Sequence, residues 1–157
     1  MGDLVNAGVV AAVVGAGLTV GTLFAFSTFI MAALKRLDDA EGIRAMQQIN
    51  KTVYTPWFMG PFFGTTLLSI GAVVFALMNM DQGWWLPMLC AGLLFVIGVF
   101  GVTAVGNVPL NERLARMDPD DAATAEFWRR YLVVWTRWNH ARVGLGVLSI
   151  ILYSWVL

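Results

Sequence analysis

One cysteine and one histidine are all that the 157 residues offer. Cys90 alone can build neither a disulfide nor a multi-cysteine metal site within one chain. Charge is scarce as well: only 13% of the residues are charged and 59% are hydrophobic, with a mean hydropathy of +0.72, which argues against an ordinary soluble domain. Ten basic residues are matched by ten acidic ones, and nothing in their arrangement supports nucleic-acid binding. Met1 to Asn6 contains no basic residue, and the apolar run after it is too long for a signal peptide, so that run is expected to stay as an anchor. Internal repeats and low-complexity tracts are missing too.

What is present in quantity is apolar sequence in long runs. A helix needs about 20 mostly apolar residues to cross the hydrocarbon core of a bilayer. Residues 4–34, 57–80, 84–106 and 138–157 meet or approach this, with polar stretches at 35–56 and 107–137. The expected fold is all-α: a single domain over 1–157, an integral membrane four-helix bundle with a short interfacial helix and an extension of the last helix. Every basic residue falls in two stretches, Lys35, Arg36, Arg44 and Lys51 in the first, and Arg113, Arg116, Arg129, Arg130, Arg137 and Arg142 in the second, whereas the loop between the middle segments has Asp81 alone. The positive-inside rule then places both basic stretches in the cytoplasm and both termini outside, in a multi-pass protein of the cell membrane. Trp84, Trp85 and Pro87 would mark the outer interface.

Local signals add detail. Gly17 and Gly21 have the small-residue spacing that lets membrane helices approach closely. Asp38 or Asp39 would cap a helix running from Ala40 to Tyr54, on which Ile43, Gln47, Asn50 and Tyr54 share a stripe flanked by Met46 and Val53. Pro56 and Pro61 predict a bent start to the second segment. Pro109 predicts a kink or break at the end of the third, with Asn107 bonding the carbonyls freed near Val105 and Gly106. Asp118 followed by Pro119, Asp120 and Asp121 reads as the start of the last helix, which from Pro119 to Leu157 would be roughly 58 Å long and so must project beyond the bilayer.

The chemistry gathers on the basic side. Along the last helix Trp128, Tyr131, Trp135, Trp138, Asn139 and Arg142 fall within one stripe, continued by Gly146, Ser149 and Tyr153. Buried indoles and phenols want partners, and an arginine near the membrane edge must pair or reach water. An interfacial aromatic belt with a snorkelling arginine is the plain alternative. Together with Gln47, Asn50 and the Asn107 to Asn111 stretch, the stripe describes a pocket with neutral donors and one cation, suited to a flat lipophilic ligand bearing a carbonyl or phenolic oxygen.

Phe26-Ser27, the stretch Gln47 to Asn50, Asn107-Val108-Pro109-Leu110-Asn111, and Trp135-x-x-Trp138-Asn139-x-x-Arg142 resemble the signature of the anthrone oxygenase-like family of small four-helix membrane proteins. The resemblance implies an oxidoreductase that converts anthrones to anthraquinones with neither metal nor flavin, because an anthrone enolate can itself pass an electron to oxygen. The protein then supplies a base, donors for the oxyanion and a dry pocket. Asn107, Asn111 and Asn139 are candidate donors with the indoles of Trp135 and Trp138, and Arg142 is the candidate enolate stabiliser. Gln47, Asn50, Tyr131, Trp135 and Trp138 are candidate substrate contacts. His140 has the intrinsic pKa of a base, yet it lies about 140° round the helix from Trp135, beside Val133, Arg129 and Arg137. Tyr131, Tyr54, Glu112 and a bound water stay open as alternatives.

No metal and no cofactor are expected. Haem would need an axial pair such as His140 with one of the 8 methionines, and no spacing specifies one. The expected partners are a lipophilic small molecule, the bilayer, and a second copy or a larger membrane complex. The competing reading is a non-catalytic accessory subunit, or a binder of quinones or lipids.

Overall fold

The computed structural model describes residues 2–157; Met1, with which the expected single unit begins, lies outside them. Among the described residues there is no strand, and five helices account for nearly all of the chain. These are α1 (Asp3–Leu34), α2 (Asp39–Thr52), α3 (Pro56–Met78), α4 (Trp85–Ala115) and α5 (Ala122–Val156). By length and composition α1, α3 and α4 could each cross a membrane. α5 is not among them, because Asn139, His140 and Arg142 interrupt its apolar half.

α1 packs on α3 and α5, and α4 packs on the same two, so the long helices close a ring in which each has two neighbours. Small side chains set the spacing. The expected pair Gly17 and Gly21 does not do this: a Cβ at either would meet nothing else in the chain. The close contact runs instead through Gly15, where a Cβ would collide with Thr65 Oγ1, and through Gly92, where one would stand 2.7 Å from Ser69 O. Gly15 lies with Ala12, Ala16 and Thr19 on the buried side of α1, and two residues further on the helix has turned about 200°, to its outer face.

Three stretches depart from α geometry: Phe26–Ile30 in α1, and Leu94–Gly101 and Thr103–Asn107 in α4 are π-helical. The break expected near Pro109 takes this form. The helix widens over Thr103–Asn107, where the Val108 N–H reaches back to Thr103 O, and α geometry resumes at Val108, one residue before the proline that cannot donate. Asn107 does not bond its own helix as expected, because its Nδ2 donates across to Trp135 O at 3.1 Å.

α2 lies over the basic end, against the last turns of α4 and the first half of α5. Asp38 is its N-cap position, with Asp39 and Glu41 in the first turn and Lys51 in the last, all favourable to the helix dipole. Ile43 and Met46 are buried beneath it among Leu114, Trp128, Tyr131 and Trp135. Arg44 pairs with Asp120, and Arg129 with Asp39, which ties α2 to the loop before α5 and to α5 itself.

α5 starts later than the Asp118 signal suggested. Asp118 Oδ1 accepts the Asp120 N–H and closes a turn around Pro119, while Asp121 is the cap, accepting from the Ala123 N–H at 3.1 Å. A side chain that can close its own local turn competes with helix initiation, and here the turn wins. The 35 residues of α5 still span roughly 52 Å.

Candidate functional site

The buried face of α5 is the predicted stripe with one member removed. Trp128, Tyr131, Trp135, Asn139, Arg142, Gly146, Ser149 and Tyr153 are all buried. Trp138 is 41% exposed and lies across Gly106, where a Cβ would come within 2.7 Å of its ring. The upper three aromatics stack in series, with Trp128 and Tyr131 ring centres 5.4 Å apart and Tyr131 and Trp135 6.3 Å apart. Buried as they are, they form the core of the basic end rather than an interfacial belt.

Beside this stack lies a cavity of about 340 Å³, within the rough 300–1,000 Å³ range of small-molecule sites. Phe26, Phe58, Phe62, Phe63, Phe100 and Trp135 give it aromatic walls, and Thr22, Asn50, Tyr54, Thr103, Asn111 and Arg142 are the polar residues that line it. The structure thus brings Asn50, Asn111, Trp135 and Arg142 to one space.

Arg142 is only 4% exposed. It donates to Thr103 Oγ1 at 3.1 Å and to Asn139 Oδ1, its guanidinium carbon sits 5.3 Å from the Trp135 ring centre, and its buried Nε has no partner. The two ion pairs among the described residues involve Arg44 and Arg129, so no carboxylate compensates Arg142. A buried cation without an anion is expensive, a cost that its neighbours must offset.

Two neighbours hold that guanidinium in place. Asn139 faces away from the cavity and acts as a clamp: its Nδ2 donates to Leu23 O and Ser27 Oγ, both at 2.7 Å, at the edge of the π turn in α1, which leaves Oδ1 to receive Arg142. Thr103 gives its hydroxyl proton to Val99 O at 2.6 Å and so presents a lone pair to Arg142. Asn111 is fixed in the same way. Its Oδ1 accepts from Tyr131 OH at 2.7 Å and from Trp135 Nε1 at 2.8 Å, so its NH2 is the group left to act outward. Burial pushes the Tyr131 hydroxyl above the usual phenol range, which keeps it a donor. Asn50 Nδ2 is buried without a partner.

The remaining predicted residues stand elsewhere. Gln47 donates to Leu114 O and Met117 O, tying α2 to the end of α4. Asn107 is buried behind Trp135, with its Oδ1 unpartnered. His140 is exposed and is not among the residues lining the cavity. Sequence reasoning missed Thr103 and the phenylalanine wall. Thr103 lies one turn before Asn107, and Phe58 and Phe62 are four apart on α3, so helical spacing held that signal.

A protein-family model described as anthrone oxygenase matches residues 51–152. The chain belongs to that family. The match includes the Asn107 to Asn111 motif and the Trp135 to Arg142 motif, and leaves Phe26-Ser27 and Gln47 to Asn50 outside it. No curated protein and no solved structure gives a significant match. Membership suggests oxygenase-type chemistry.

Proposed function

We propose that this member of the anthrone oxygenase family is a membrane-embedded, cofactor-free oxygenase acting on a lipophilic polycyclic phenol or anthrone. The observation that carries this reading is Arg142, a buried cation with an unused N–H beside an aromatic cavity that contains no anion. A neutral ketone placed there gains a hydrogen bond; its enolate gains that bond and the full charge. The site therefore favours the ionised form over the ketone, which is what acceleration requires.

The reaction balances without further reagents. A C–H bond of the methylene breaks, its electron pair enters the enolate, and dioxygen accepts electrons and bonds to that carbon as a hydroperoxide. Loss of one water leaves a second carbonyl, so CH2 and O2 become C=O and H2O. The aromatic walls hold the rings flat and exclude water, and the Asn50 and Asn111 amides offer donors to a second oxygen.

In this reading α1, α3, α4 and the apolar half of α5 form a four-helix bundle that crosses the cell membrane. The basic end is cytoplasmic and both termini are outside. Leu18, Phe24, Leu67, Val74, Ile97 and Ile151 point outward from these helices, as lipid-facing side chains do. The purified, metal-stripped protein should consume dioxygen when given an anthrone, one molecule per anthraquinone formed. Uptake no greater than that of the anthrone alone overturns the proposal.

One observation favours a second reading, passive quinone binding: no carboxylate or imidazole is among the residues lining the cavity. A quinone that quenches tryptophan fluorescence, in a protein that fails the uptake assay, would establish it.

A further inference from the structure

The cavity can stabilise an anion, but a substrate that enolises must also hand its proton to an acceptor within hydrogen-bond reach or one water away. Several candidates are removed by their surroundings. Tyr131 spends its hydroxyl on Asn111, and burial favours its neutral form. His140 is on the exposed side of α5. Tyr54 is 71% exposed, and solvent competes for its hydroxyl.

A second hollow of about 340 Å³ adjoins the cavity and shares four of its residues, Asn50, Tyr54, Val108 and Asn111. Its other walls are Gln47, Lys51, Glu112 and Ala115. Arg142 and Thr103 line the cavity and not the hollow, so the shared boundary is a different wall from the one that holds the cation. Glu112 is the carboxylate that lines the hollow, one residue beyond Asn111 of the shared wall, on the turns of α4 that follow Pro109.

The substrate's own structure says which end goes where. In an anthrone the ketone oxygen and the reacting methylene lie on opposite edges of the central ring, and ionisation moves charge from that carbon to that oxygen. With the oxygen on Arg142, the methylene turns away from Arg142 and toward Asn50, Asn111 and the hollow.

We propose that Glu112, through the hollow it lines, accepts the methylene proton; this rests on the oxygenase reading above. The C–H bond breaks, its electron pair passes into the enolate whose oxygen Arg142 holds, and the proton goes to the Glu112 carboxylate directly or across one water, then to bulk water. Lys51 and Tyr54 line the hollow with Glu112, Tyr131 stands behind Asn111, and Arg113 and Arg116 share its helix; no second carboxylate lines the hollow. Cavity and hollow thus divide the labour, with the charge stabilised on one side and the proton removed on the other.

The test separates proton removal from oxidation. The full chain in detergent is incubated with an anthrone in deuterated water without oxygen, and exchange at the methylene is followed by mass spectrometry. Oxygen uptake is measured separately. E112Q should lower both exchange and kcat by about a hundredfold, with KM within about twofold and the melting temperature unchanged, since an exposed side chain is altered. E112D should recover part of the loss, and the E112Q deficit should shrink as pH approaches the ionisation of anthrone itself. E112Q exchanging at the wild-type rate, or raising KM with kcat intact, overturns the role of Glu112 and leaves the oxygenase reading standing. Wild-type protein that gives neither exchange nor uptake overturns both.

Discussion

The two ends of the helical ring treat buried polar groups in opposite ways. Away from the basic end, Ser149 Oγ donates to Ala91 O at 2.7 Å and Tyr153 OH to Ser69 Oγ at 3.0 Å. The groove next to Tyr153 is about 370 Å³ in volume but is otherwise lined by apolar residues and glycines, such as Val5, Leu67 and Phe75. At the basic end a cavity of similar size is lined by Arg142 and Asn50, residues that each keep one buried nitrogen, Nε and Nδ2, without a partner. Size does not distinguish the two spaces; unspent donors do. Polar groups that close on each other hold helices together, and those left open cost stability that a ligand can return.

The sharpest way to break this contrast is Arg142→Met. Uptake of oxygen with an anthrone should fall at least about a hundredfold, the scale of losing one preorganised donor to an oxyanion. The melting temperature should stay level or rise, because the change removes an uncompensated buried charge and keeps the volume. A variant that is both inactive and unstable would instead make Arg142 a folding residue.

Asn139→Ala strikes the clamp behind it and should lower both properties. Three hydrogen bonds are lost, two of them to buried groups, a cost of about 2–4 kcal/mol by denaturant unfolding. Activity should fall less than in the Arg142 variant, since Thr103 still holds the guanidinium.

Tyr131→Phe releases Asn111 to rotate and should cost about 1 kcal/mol while raising KM. Its pH dependence provides a separate check. Burial raises the folded pKa of Tyr131, so its stabilising contribution is complete below the unfolded phenol value of about 10 and is lost as pH climbs beyond it. Between about pH 10 and 11 the wild type should therefore lose stability more steeply than the phenylalanine variant.

The smallest effect belongs to the other end. Tyr153→Phe should cost about 1 kcal/mol and leave oxygen uptake unchanged. Reduced turnover in that variant would show that the two ends are coupled and would spoil the comparison.

The part of the candidate site that lies on α5 is legible in the sequence, because the 100° helical step alone decides who shares a face, whereas of the cavity's own lining only Trp135 and Arg142 belong to that helix. Asn139 and Arg142 were placed with Trp135 and Tyr131 by counting. Trp138 was placed there too and was lost, because a 100° wide stripe is wider than the contact it describes, and Gly106 offered that ring a surface outside the cavity. The start of α5 was misread for a similar reason: Asp118 and Asp121 are equally good caps by residue type, and only the closed turn at Pro119 chooses between them.

By itself the sequence determined the helical class, the runs apolar enough to cross a membrane, the gathering of cations at one end and the stripe on α5. All of these are local or periodic properties, and each residue's contribution can be counted without knowing its neighbours in space. The tertiary structure decided what Arg142 faces, that Asn139 holds it instead of facing the cavity, and that the π turns of α1 and α4 lie beside them. It also decided that Glu112 lines a hollow sharing a wall with the cavity. Hydrogen bonds between residues up to 116 positions apart settle these matters, and whether a buried polar group is spent or left open depends on partners that no local pattern records.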